Sequence, residues 1–403
     1  MRVLIVTNHF FPEVFRVNDI AFDLSKQGHK VTVITSIPNY PQGYYFEGYG
    51  LLKRRREQIQ GVEVIRIPVI PRGKGKALRL FLNYLSYLIC ASLRVFCLSF
   101  QKHFDCIFVH ETSPVTVGIP AVIVKWIQKI PLYFWVLDLW PESLSAAGGI
   151  TNQQVLGIFR KIVCFLYRYS DKILISSRGF KQSILEKGDY EDKIVYFPNW
   201  GEDILCSSKK FEIPELPEGF RVMYAGNIGE AQGLEAVLKT AFGLKENTFI
   251  KWIFVGDGRK KADLEEYARS NGLEKTVYFL GRFPLEAMSS FFREADILLV
   301  SLKDELIFNL TVPAKLQAYM LASKGVCAML NGEGAEIVKE AKNGVTVPAG
   351  DIKLLAEEIV ALSKCSKEEL ELLGKNGLEY YNRNFRKDVC MEHLYQIMNL
   401  KTK

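Results

Sequence analysis

The chain has 403 residues, a length that predicts two domains of roughly 200 residues each. Its composition, with 48% hydrophobic and 24% charged residues, is typical of a globular protein and excludes a largely disordered one. The net charge of +7 is modest, the basic residues cluster locally and no nucleic-acid-binding module is visible, so we expect no nucleic-acid partner.

Cysteine and histidine spacing gives no sign of a metal or redox site. The eight cysteines contain no C-x-x-C pair, and without a secretory signal they are expected to be the reduced thiols of a cytosolic protein. The five histidines lack the spacing of metal ligands, and the chain has no D-x-D sequence to hold a metal-bridged diphosphate. We therefore expect neither a metal nor a cofactor.

Along the chain, short apolar runs alternate with segments of helical spacing. Helices are predicted over residues Asn18–Gln27 and Gln154–Tyr169, among others. The strands predicted in the first half are Arg2–Asn8, Lys30–Ser36, Val62–Pro68, Asp105–Glu111, Leu132–Leu139, Lys172–Ser177 and Ile194–Pro198. Because these runs are continuous and rich in β-branched residues, they predict a parallel sheet with helices on both faces.

The alternation breaks over residues 202–220, which are rich in serine, lysine and proline and which we interpret as a linker. A second series of strands and helices follows. Its predicted strands are Arg221–Asn227, Lys251–Gly256, Thr276–Gly281, Asp296–Ser301, Val326–Leu330 and Gly344–Val347. The last stretch of the chain is helical by pattern and has no strand after it.

The predicted fold class is therefore α/β, with two Rossmann-like domains facing across a cleft. We assign residues 1–200 to the N-terminal domain, 201–220 to the linker and 221–380 to the C-terminal domain. Residues 381–403 form a helix that either packs on the second domain or crosses back to the first. Since ligands of open α/β sheets bind at the carboxyl ends of the strands, the ligand site is expected where the two domains face each other.

Residues 80–100 form the most apolar stretch of the chain, long enough to suggest a transmembrane helix. The central Arg94 is costly in lipid, so a helix buried on at least one face is favoured. Basic blocks over residues 53–56 and 72–79 lie just before this stretch. Together they predict docking on an anionic membrane surface, as a cytoplasmic protein attached peripherally to the inner face of the cytoplasmic membrane.

Six short motifs follow one another in register along nearly the whole chain. They are Phe10-Phe11-Pro12-Glu13, Pro38-Asn39-Tyr40-Pro41-Gln42-Gly43, Asp138-Leu139-Trp140-Pro141-Glu142-Ser143, Pro198-Asn199-Trp200, Ala225-Gly226-Asn227-Ile228-Gly229 and Thr311-Val312-Pro313-Ala314-Lys315-Leu316. In this order they resemble glycosyltransferase family 4. The resemblance is to the bacterial branch that includes the L-fucosamine transferases of O-antigen and capsule assembly.

The resemblance implies a GT-B fold and a retaining, metal-independent transfer of a sugar from a UDP donor. The sugar would be N-acetyl-L-fucosamine or another N-acetylated amino sugar. The acceptor would be a saccharide linked to polyprenyl diphosphate. Two alternatives remain: a UDP-sugar epimerase on the same fold, and a non-catalytic two-domain sugar-binding protein.

A departing diphosphate builds negative charge, so its site needs cations or a helix N-terminus. Lys315 lies within one turn of a predicted helix start, at which Thr311 or Val312 is expected to be the cap. Arg282 ends a predicted strand of the second domain and is a further candidate for a phosphate or nucleotide contact. An ordinary capped helix and a surface arginine are the alternative interpretations.

The chain departs from the family pattern at two places. Asn227 and Gln232 stand where many members have an arginine and a lysine, so the donor contact falls to Lys315 and Arg282, with Asn227 and Gln232 as hydrogen-bond donors. The glutamate expected on the donor ribose is also missing. The residues that could replace it are Asp304, Glu305, Asn309 and Gln317.

In the first domain, the resemblance places Asp138 near the reacting sugar, with Glu142 as the neighbouring alternative. Asp138 could orient the acceptor hydroxyl, stabilise positive charge at the anomeric carbon or serve as a base, although in retaining GT-B enzymes the leaving phosphate is commonly given that last task. It could also merely cap the next helix. His110 and Glu111 end another predicted strand at the same edge and are further catalytic candidates; a hydrogen-bonded structural histidine is the alternative interpretation. Arg16 lies in the first loop and is expected to contact a diphosphate.

Overall fold

The computed structural model describes residues 1–146, 150–201 and 211–400. The chain divides into two compact units. The first unit is Met1–Phe197 together with the chain from Met391 onwards, and the second unit is Pro198–Cys390. Residues 202–210 of the predicted linker, with Cys206, lie outside the described residues.

The first unit is built on an eight-stranded sheet in the order β3-β4-β2-β1-β5-β6-β7-β8. Neighbouring strands are parallel, except that β3 is antiparallel to β4. The strands are β1 Arg2–Thr7, β2 Lys30–Ser36, β3 Arg56–Ile59, β4 Val62–Ile67, β5 Cys106–Glu111, β6 Leu132–Val136, β7 Lys172–Ile175 and β8 Ile194–Tyr196. The predicted parallel sheet is present, and the predicted strand over Leu132–Leu139 ends three residues earlier, at Val136.

Helices cover the strands of the first unit. They are α1 Arg16–Lys26, α2 Ala77–Gln101, α3 Ile119–Gln128, α4 Glu142–Ala146, α5 Gln153–Tyr169 and α6 Phe180–Leu185. The central strand β1 is buried from its second residue to its last, as a strand covered on both faces requires. Its neighbours are β2 on one side and β5 on the other. The chain order reverses between β1 and β5, and this switch point is where open α/β sheets bind ligands.

The second unit is built on a six-stranded parallel sheet in the order β11-β10-β9-β12-β13-β14. Its strands are β9 Phe220–Ala225, β10 Ile250–Val255, β11 Val277–Gly281, β12 Ile297–Ser301, β13 Val326–Met329 and β14 Gly344–Val347. All six predicted strands are present. The switch point lies between β9 and β12, so the loops that follow these two strands are expected to hold the ligand.

Nine helices accompany the strands of the second unit in the part of the chain that the structure describes. They are α7 Leu234–Gly243, α8 Lys261–Ser270, α9 Met288–Glu294, α10 Leu306–Leu310, α11 Ala314–Leu321, α12 Glu333–Ala341, α13 Ile352–Leu362, α14 Lys367–Asn384 and α15 Lys387–Ile397. Two apolar cores flank the sheet. The boundary between the units falls within α15, whose residues from Met391 onwards group with the first unit. There the hydroxyl of Tyr395 is hydrogen-bonded to the Asp23 carboxylate on α1.

Helix α2 is long and apolar enough to cross a membrane by length and composition alone. One face nevertheless packs within the first unit and is tied there by polar contacts. The Tyr87 hydroxyl donates to the carbonyl oxygen of Thr7 at 2.8 Å, and the Asn83 amide donates to that of Ile70 at 2.6 Å. These contacts show that α2 packs against the first unit along one face, and the prediction of a helix buried on at least one face is confirmed.

Candidate active site

In the second unit, the loop after β9 encloses a cation that helix α11 supplies. Lys315, on α11, places its Nζ 2.7 Å from the side-chain oxygen of Gln232 and 5.0 Å from the centre of the Tyr224 ring. Its stem crosses Gly226, where an added Cβ would lie 2.5 Å from the lysine Cε. Gly226 also has a φ of +139°, so the loop needs glycine here for both conformation and space.

Helix α11 is fixed on this loop by its own side chains. Tyr319, one turn beyond Lys315, accepts a hydrogen bond from the backbone N–H of Ala225 at 3.0 Å and lies 3.2 Å from its carbonyl oxygen. Ala225 is the last residue of β9. The lysine is therefore held at the carboxyl end of a strand that borders the switch point.

The predicted helix cap is wrong. Helix α11 begins at Ala314 with Pro313 as its N-cap, and no side chain caps it. Thr311 donates its hydroxyl to the carbonyl oxygen of Ile307 at 2.7 Å, and Val312 has no polar group to offer. The first N–H groups of α11 thus have no side-chain cap, which leaves a helix N-terminus beside Lys315.

The Lys315 cation has no carboxylate partner among the described residues. Burial disfavours its charged form and lowers its pKa to about 8. Since a lysine only donates, the Gln232 oxygen must face it, and the amide NH2 of Gln232 donates to no described residue. An enclosed ammonium group and a free amide donor suit an anionic ligand.

The other predicted donor residues lie less close to this cluster. Asn227 is exposed, and its carbonyl oxygen accepts a hydrogen bond from the Tyr224 hydroxyl at 2.6 Å. Arg282 is exposed just after β11, the edge strand of the sheet, which β10 separates from β9. Lys315 and Gln232 are in contact, whereas Arg282 follows a strand that is not adjacent to β9. The role of Arg282 therefore stays a prediction.

The four candidates for the missing ribose contact also differ. Gln317 is buried and donates its amide to the carbonyl oxygen of Asn199 at 2.7 Å, so it already has a partner within the fold. The exposed carboxylate of Asp304 accepts a hydrogen bond from Asn309 at 2.8 Å, and Glu305 directly precedes α10. Of the two exposed carboxylates, Asp304 is the one that accepts this hydrogen bond, and its contact with the ribose stays a prediction.

In the first unit, His110 and Glu111 end β5 at the switch point and are fully buried. Burial, with a smaller effect of His9, lowers the pKa of His110 to about 3, so its imidazole is neutral; Nδ1 lies 3.0 Å from the Thr7 hydroxyl. Burial raises the pKa of Glu111, and the Asp138 charge raises it further. Glu111 accepts the backbone N–H of Asp138 at 3.3 Å.

Asp138 and Glu142 have different surroundings. The half-buried carboxylate of Asp138 accepts hydrogen bonds from the hydroxyls of Ser113 and Ser143. Glu142 forms an ion pair with the buried Lys187 at 2.6 Å, so its charge is already balanced. This contrast favours Asp138 over Glu142 as the group available to a ligand, and both assignments stay predictions.

A buried pair that sequence analysis did not single out lies beside His110. Nδ1 of His9 is 2.8 Å from the carboxylate of Glu13. The other carboxylate oxygen accepts the backbone N–H groups of Asn39 at 2.7 Å and of Tyr40 at 2.6 Å. The ring of Phe15 stacks on His9 with centroids 4.7 Å apart. The four-residue spacing of His9 and Glu13 could have indicated a contact between them. The backbone N–H groups of Asn39 and Tyr40 that hold the carboxylate could not be predicted from the sequence.

Arg72 supplies a cation next to the His9–Glu13 pair. The Arg72 guanidinium is 5.1 Å from the centre of the Tyr40 ring and 5.8 Å from that of Tyr84, and one of its nitrogens is 3.4 Å from the Tyr84 hydroxyl. Burial raises the pKa of Tyr84, while Arg72 lowers it and Asp138 raises it. The carboxyl edge of the first sheet thus gathers Asp138, Arg72 and His9 in one region.

Arg16 is the first residue of α1 and is half-buried, and its contact with a diphosphate stays a prediction. Within the described ranges no group of three or more His, Cys, Asp or Glu side chains could hold a metal ion. A cavity of about 600 Å³ opens in the first unit at the amino ends of β1 and β2, lined in part by Arg2 and Lys30. That is the edge opposite the one at which parallel sheets bind ligands.

Two family models match the chain. One, described as a glycosyl transferase 4-like domain, matches residues 15–200, and one described as glycosyl transferases group 1 matches residues 219–365. A putative colanic acid biosynthesis glycosyl transferase of Escherichia coli K12 is 26% identical over 299 residues, which are 69% of this chain and 71% of the relative. An O-antigen biosynthesis glycosyltransferase of Escherichia coli is 25% identical over 176 residues, 42% of this chain and 47% of the relative.

Solved structures show the same fold at low sequence identity. Sucrose-phosphate synthase of Thermosynechococcus elongatus has a TM-score of 0.72 at 15% identity and covers 99% of this chain and 98% of its own. The Anabaena protein HepE, solved in complex with UDP, has a TM-score of 0.70 at 14% identity, with 99% and 100% covered. The chain therefore belongs to glycosyltransferase family 4 and is a two-domain α/β transferase with the GT-B fold.

Proposed function

We propose that this glycosyltransferase takes its sugar from a UDP donor and binds the donor diphosphate in the second unit, at Lys315. The observation that carries the proposal is an enclosed ammonium group without a carboxylate partner among the described residues, at a sheet switch point. It lies beside an uncapped helix start, which attracts anions. The family resemblance implies that the donor sugar is N-acetyl-L-fucosamine or another N-acetylated amino sugar.

During transfer, the bond from the anomeric carbon to the leaving diphosphate breaks, and its electron pair goes to the diphosphate oxygen. Lys315 and the amide of Gln232 would stabilise that growing negative charge. In the first unit, Asp138 would lie near the reacting sugar and stabilise positive charge at the anomeric carbon. The resemblance implies retention of configuration and no need for a metal.

The acceptor would be a saccharide linked to polyprenyl diphosphate, in O-antigen or capsule synthesis. Two relatives carry names from colanic acid and O-antigen biosynthesis, which supports a role in building a bacterial polysaccharide. Arg72, between the rings of Tyr40 and Tyr84, is a cation that could contact the acceptor diphosphate.

Purified protein should release UDP from one member of a panel of UDP-N-acetylhexosamines that includes UDP-N-acetyl-L-fucosamine. Release should require a polyprenyl-diphosphate-linked monosaccharide, and the lipid should gain the mass of one sugar. UDP release and the product mass are measured with and without the acceptor. Conversion of the sugar nucleotide without acceptor would instead support a UDP-sugar epimerase, and binding without turnover on the whole panel would contradict the proposed donor and acceptor.

We also propose that the enzyme docks on the inner face of the cytoplasmic membrane through α2. Seven large apolar side chains are exposed on this helix, every three or four residues, and so form one stripe. They are Leu78, Phe81, Leu85, Ile89, Leu93, Phe96 and Phe100. We call them the α2 stripe. A stripe of this length is unusual on the surface of a soluble domain and fits the interface of a lipid bilayer.

Charge supports the same occupant. Lys74, Lys76 and Arg79 are exposed at the start of α2. Leu51 and Leu52 are exposed next to the other basic block, Lys53–Arg56. Basic side chains beside exposed apolar ones are the pattern of peripheral membrane binding, in which each cation contributes about 1 kcal/mol on an anionic surface.

Two variants separate the apolar and the charged contributions. The triple variant Phe81→Glu, Ile89→Glu and Phe96→Glu should lose binding to vesicles of any charge, because it places carboxylates in the α2 stripe. Leu372→Glu, at an equally exposed leucine of the second unit, is the control and should bind like the wild type. Binding is measured by co-sedimentation with phosphatidylglycerol and phosphatidylcholine vesicles.

The triple variant Lys74→Ser, Lys76→Ser and Arg79→Ser should bind phosphatidylglycerol vesicles about 100-fold more weakly, since three cations contribute about 3 kcal/mol. Its residual binding to neutral vesicles should match that of the wild type. Unchanged sedimentation of both triple variants with anionic vesicles would overturn the membrane proposal.

A further inference from the structure

A cluster of aromatic side chains lies at the surface of α3 and α5, and neither the transfer reaction nor the α2 stripe uses it. Trp126 of α3 makes edge contacts with the rings of Phe165 and Tyr169 on α5, at centroid distances of 5.8 Å and 5.2 Å. We call these three residues the Trp126 cluster. Trp126 is 51% exposed, whereas the other four tryptophans of the chain are at most 4% exposed. Its ring is therefore available to a partner outside the fold.

Helices α2, α3 and α5 form one layer on one face of the first sheet. They connect β4 to β5, β5 to β6 and β6 to β7, and these steps all run in the same direction across the sheet. Right-handed crossovers place such helices on the same face. In agreement, α3 packs against both α2 and α5. The α2 stripe and the Trp126 cluster thus belong to the outer surface of one helical layer.

The Trp126 cluster lies close to the end of the α2 stripe. The side-chain amide of Gln128, two residues after Trp126, donates to the carbonyl oxygens of Ser99 at 2.8 Å and of Lys102 at 2.6 Å. These two residues flank Phe100, the last member of the stripe. The hydrogen bonds hold the last turn of α3 against the last turn of α2. The exposed apolar surface therefore continues from α2 across α3 to α5.

The charges of this layer all have one sign. None of the residues of α2, α3 and α5 is an aspartate or a glutamate, whereas α1, which leads from β1 to β2 in the opposite direction and so covers the other face, carries Asp19 and Asp23. Asp171, two residues after α5, pairs with Lys125. The basic residues of the three helices are Arg79, Arg94, Lys125, Arg160, Lys161 and Arg168. An apolar and aromatic face with cations and no carboxylates fits an anionic lipid surface.

We propose that the Trp126 cluster is a second membrane contact, and that the outer face of the layer formed by α2, α3 and α5 lies flat on an anionic bilayer. This inference rests on the proposed docking through α2. With α2 alone in contact, the protein would be free to turn about the axis of that helix, and a contact on α3 and α5 prevents the rotation. Tryptophan and tyrosine suit this place, because their rings prefer the interface between lipid and water.

The flat orientation has a consequence for the active site. Helices and strands of an α/β unit run side by side, so both then lie along the membrane surface. The carboxyl edge of the first sheet, with Asp138 and Arg72, is held beside the lipid headgroups and does not face away from them. A diphosphate that is linked to a lipid lies at the same depth, since its lipid chain stays in the bilayer.

Tryptophan fluorescence tests the contact directly, because Trp126 is the exposed one of the five tryptophans. Phosphatidylglycerol vesicles should shift the emission of the wild type to shorter wavelength, and brominated acyl chains in these vesicles should quench it. Trp126→Phe keeps an aromatic ring, so it should bind the vesicles like the wild type and lose both signals.

Trp126→Ser should bind phosphatidylglycerol vesicles roughly 10- to 100-fold more weakly, since roughly 100 Å² of apolar surface no longer moves from water into lipid. Phe249→Ser, at a similarly exposed aromatic residue of the second unit, is the control and should bind like the wild type. Binding is measured by co-sedimentation, and thermal transitions show whether each variant is folded. Quenching in the wild type and its loss in Trp126→Phe provide the test should Trp126→Ser not fold.

The inference and the docking proposal fail in different ways. If wild-type protein does not sediment with anionic vesicles, the docking proposal is wrong. If it sediments but its fluorescence is neither shifted nor quenched, or if folded Trp126→Ser binds like the wild type, the bilayer contacts α2 without the Trp126 cluster and the inference is wrong. A fluorescence shift that appears without vesicles as the protein concentration rises would mean that a second copy covers this face, which also contradicts the inference.

Discussion

Replacing Lys315 with methionine should weaken UDP binding and at the same time stabilise the free protein. The side chain is enclosed by Gly226, Gln232 and Tyr224, and no described carboxylate balances its charge. Methionine is of similar length and carries no charge, so it fills the same space. We expect UDP to bind at least roughly 100-fold more weakly, which corresponds to about 3 kcal/mol for the loss of one partner of a buried charge pair.

The stability gain follows from the pKa of Lys315, which burial lowers from 10.5 to about 8. Between these two pH values the unfolded chain binds more protons than the folded one, so the free energy of unfolding rises as pH rises from about 8 to 10.5. Below pH 8 the buried charge destabilises the fold, by up to about 3 kcal/mol. Lys315→Met should recover part of the lost free energy of unfolding at pH 7. Its free energy of unfolding should also lack the increase with pH that is attributable to Lys315.

Bound diphosphate should raise the pKa of Lys315 again, because its negative charge stabilises the ammonium form. UDP affinity of the wild type should therefore decrease as pH rises above about 8. Calorimetric titration with UDP and urea unfolding, each at several pH values, measure the two quantities. Lys353→Met, at an exposed lysine of the second unit, should change neither. If Lys315→Met bound UDP as tightly as the wild type, the proposal that the donor diphosphate binds at this loop would be wrong.

Most strands could be predicted because buried parallel strands have continuous apolar sequences. β1 and β9 are such runs, and both lie where they were predicted. The edge strand β3 was missed, since Arg56-Glu57-Gln58-Ile59 has no apolar run and pairs on one side only. An edge strand of charged residues resembles a loop by composition.

The sites were only partly predictable, because their geometry comes from residues far apart in the chain. Lys315 was identified from its motif, but its contact with Gln232 spans 83 positions. The capping assignment to Thr311 failed because its hydroxyl bonds backwards to Ile307, a local competition that composition does not reveal. The position of the Glu13 carboxylate depends on two backbone N–H groups that lie 26 and 27 positions after it in the chain.

Asp138 and Glu111 form a pair of carboxyl groups whose surroundings differ, and the second large effect is expected from this difference. Asp138 is half-buried and accepts hydrogen bonds from two serine hydroxyls, as a charged carboxylate does. Glu111 is fully buried, and burial together with the Asp138 charge raises its pKa. A carboxyl group whose pKa is raised by burial and a neighbouring one that accepts hydrogen bonds usually divide their roles, one neutral and one charged.

The raised pKa of Glu111 has a consequence for stability. The folded protein keeps a proton that the unfolded chain releases above about pH 4.5, so Glu111 destabilises the fold progressively as pH rises from there. Glu111→Gln mimics the protonated carboxyl and should be at least as stable as the wild type at pH 7. Because burial favours the protonated form of Glu111, which glutamine resembles, Glu111→Gln should also transfer sugar at close to the wild-type rate.

Asp138→Asn should instead lower the transfer rate about 100- to 1,000-fold, since it removes the charge that would stabilise the anomeric carbon. The asparagine keeps an oxygen for the serine hydroxyls, so the fold should survive. Steady-state transfer rates and thermal transitions of the two variants are compared at pH 7. Similar losses in both would mean that transfer needs both carboxyl groups, and a loss in Glu111→Gln alone would assign the required charge to Glu111; either result contradicts the prediction. A loss in Asp138→Asn alone would assign the charge that transfer needs at this edge of the first sheet to Asp138.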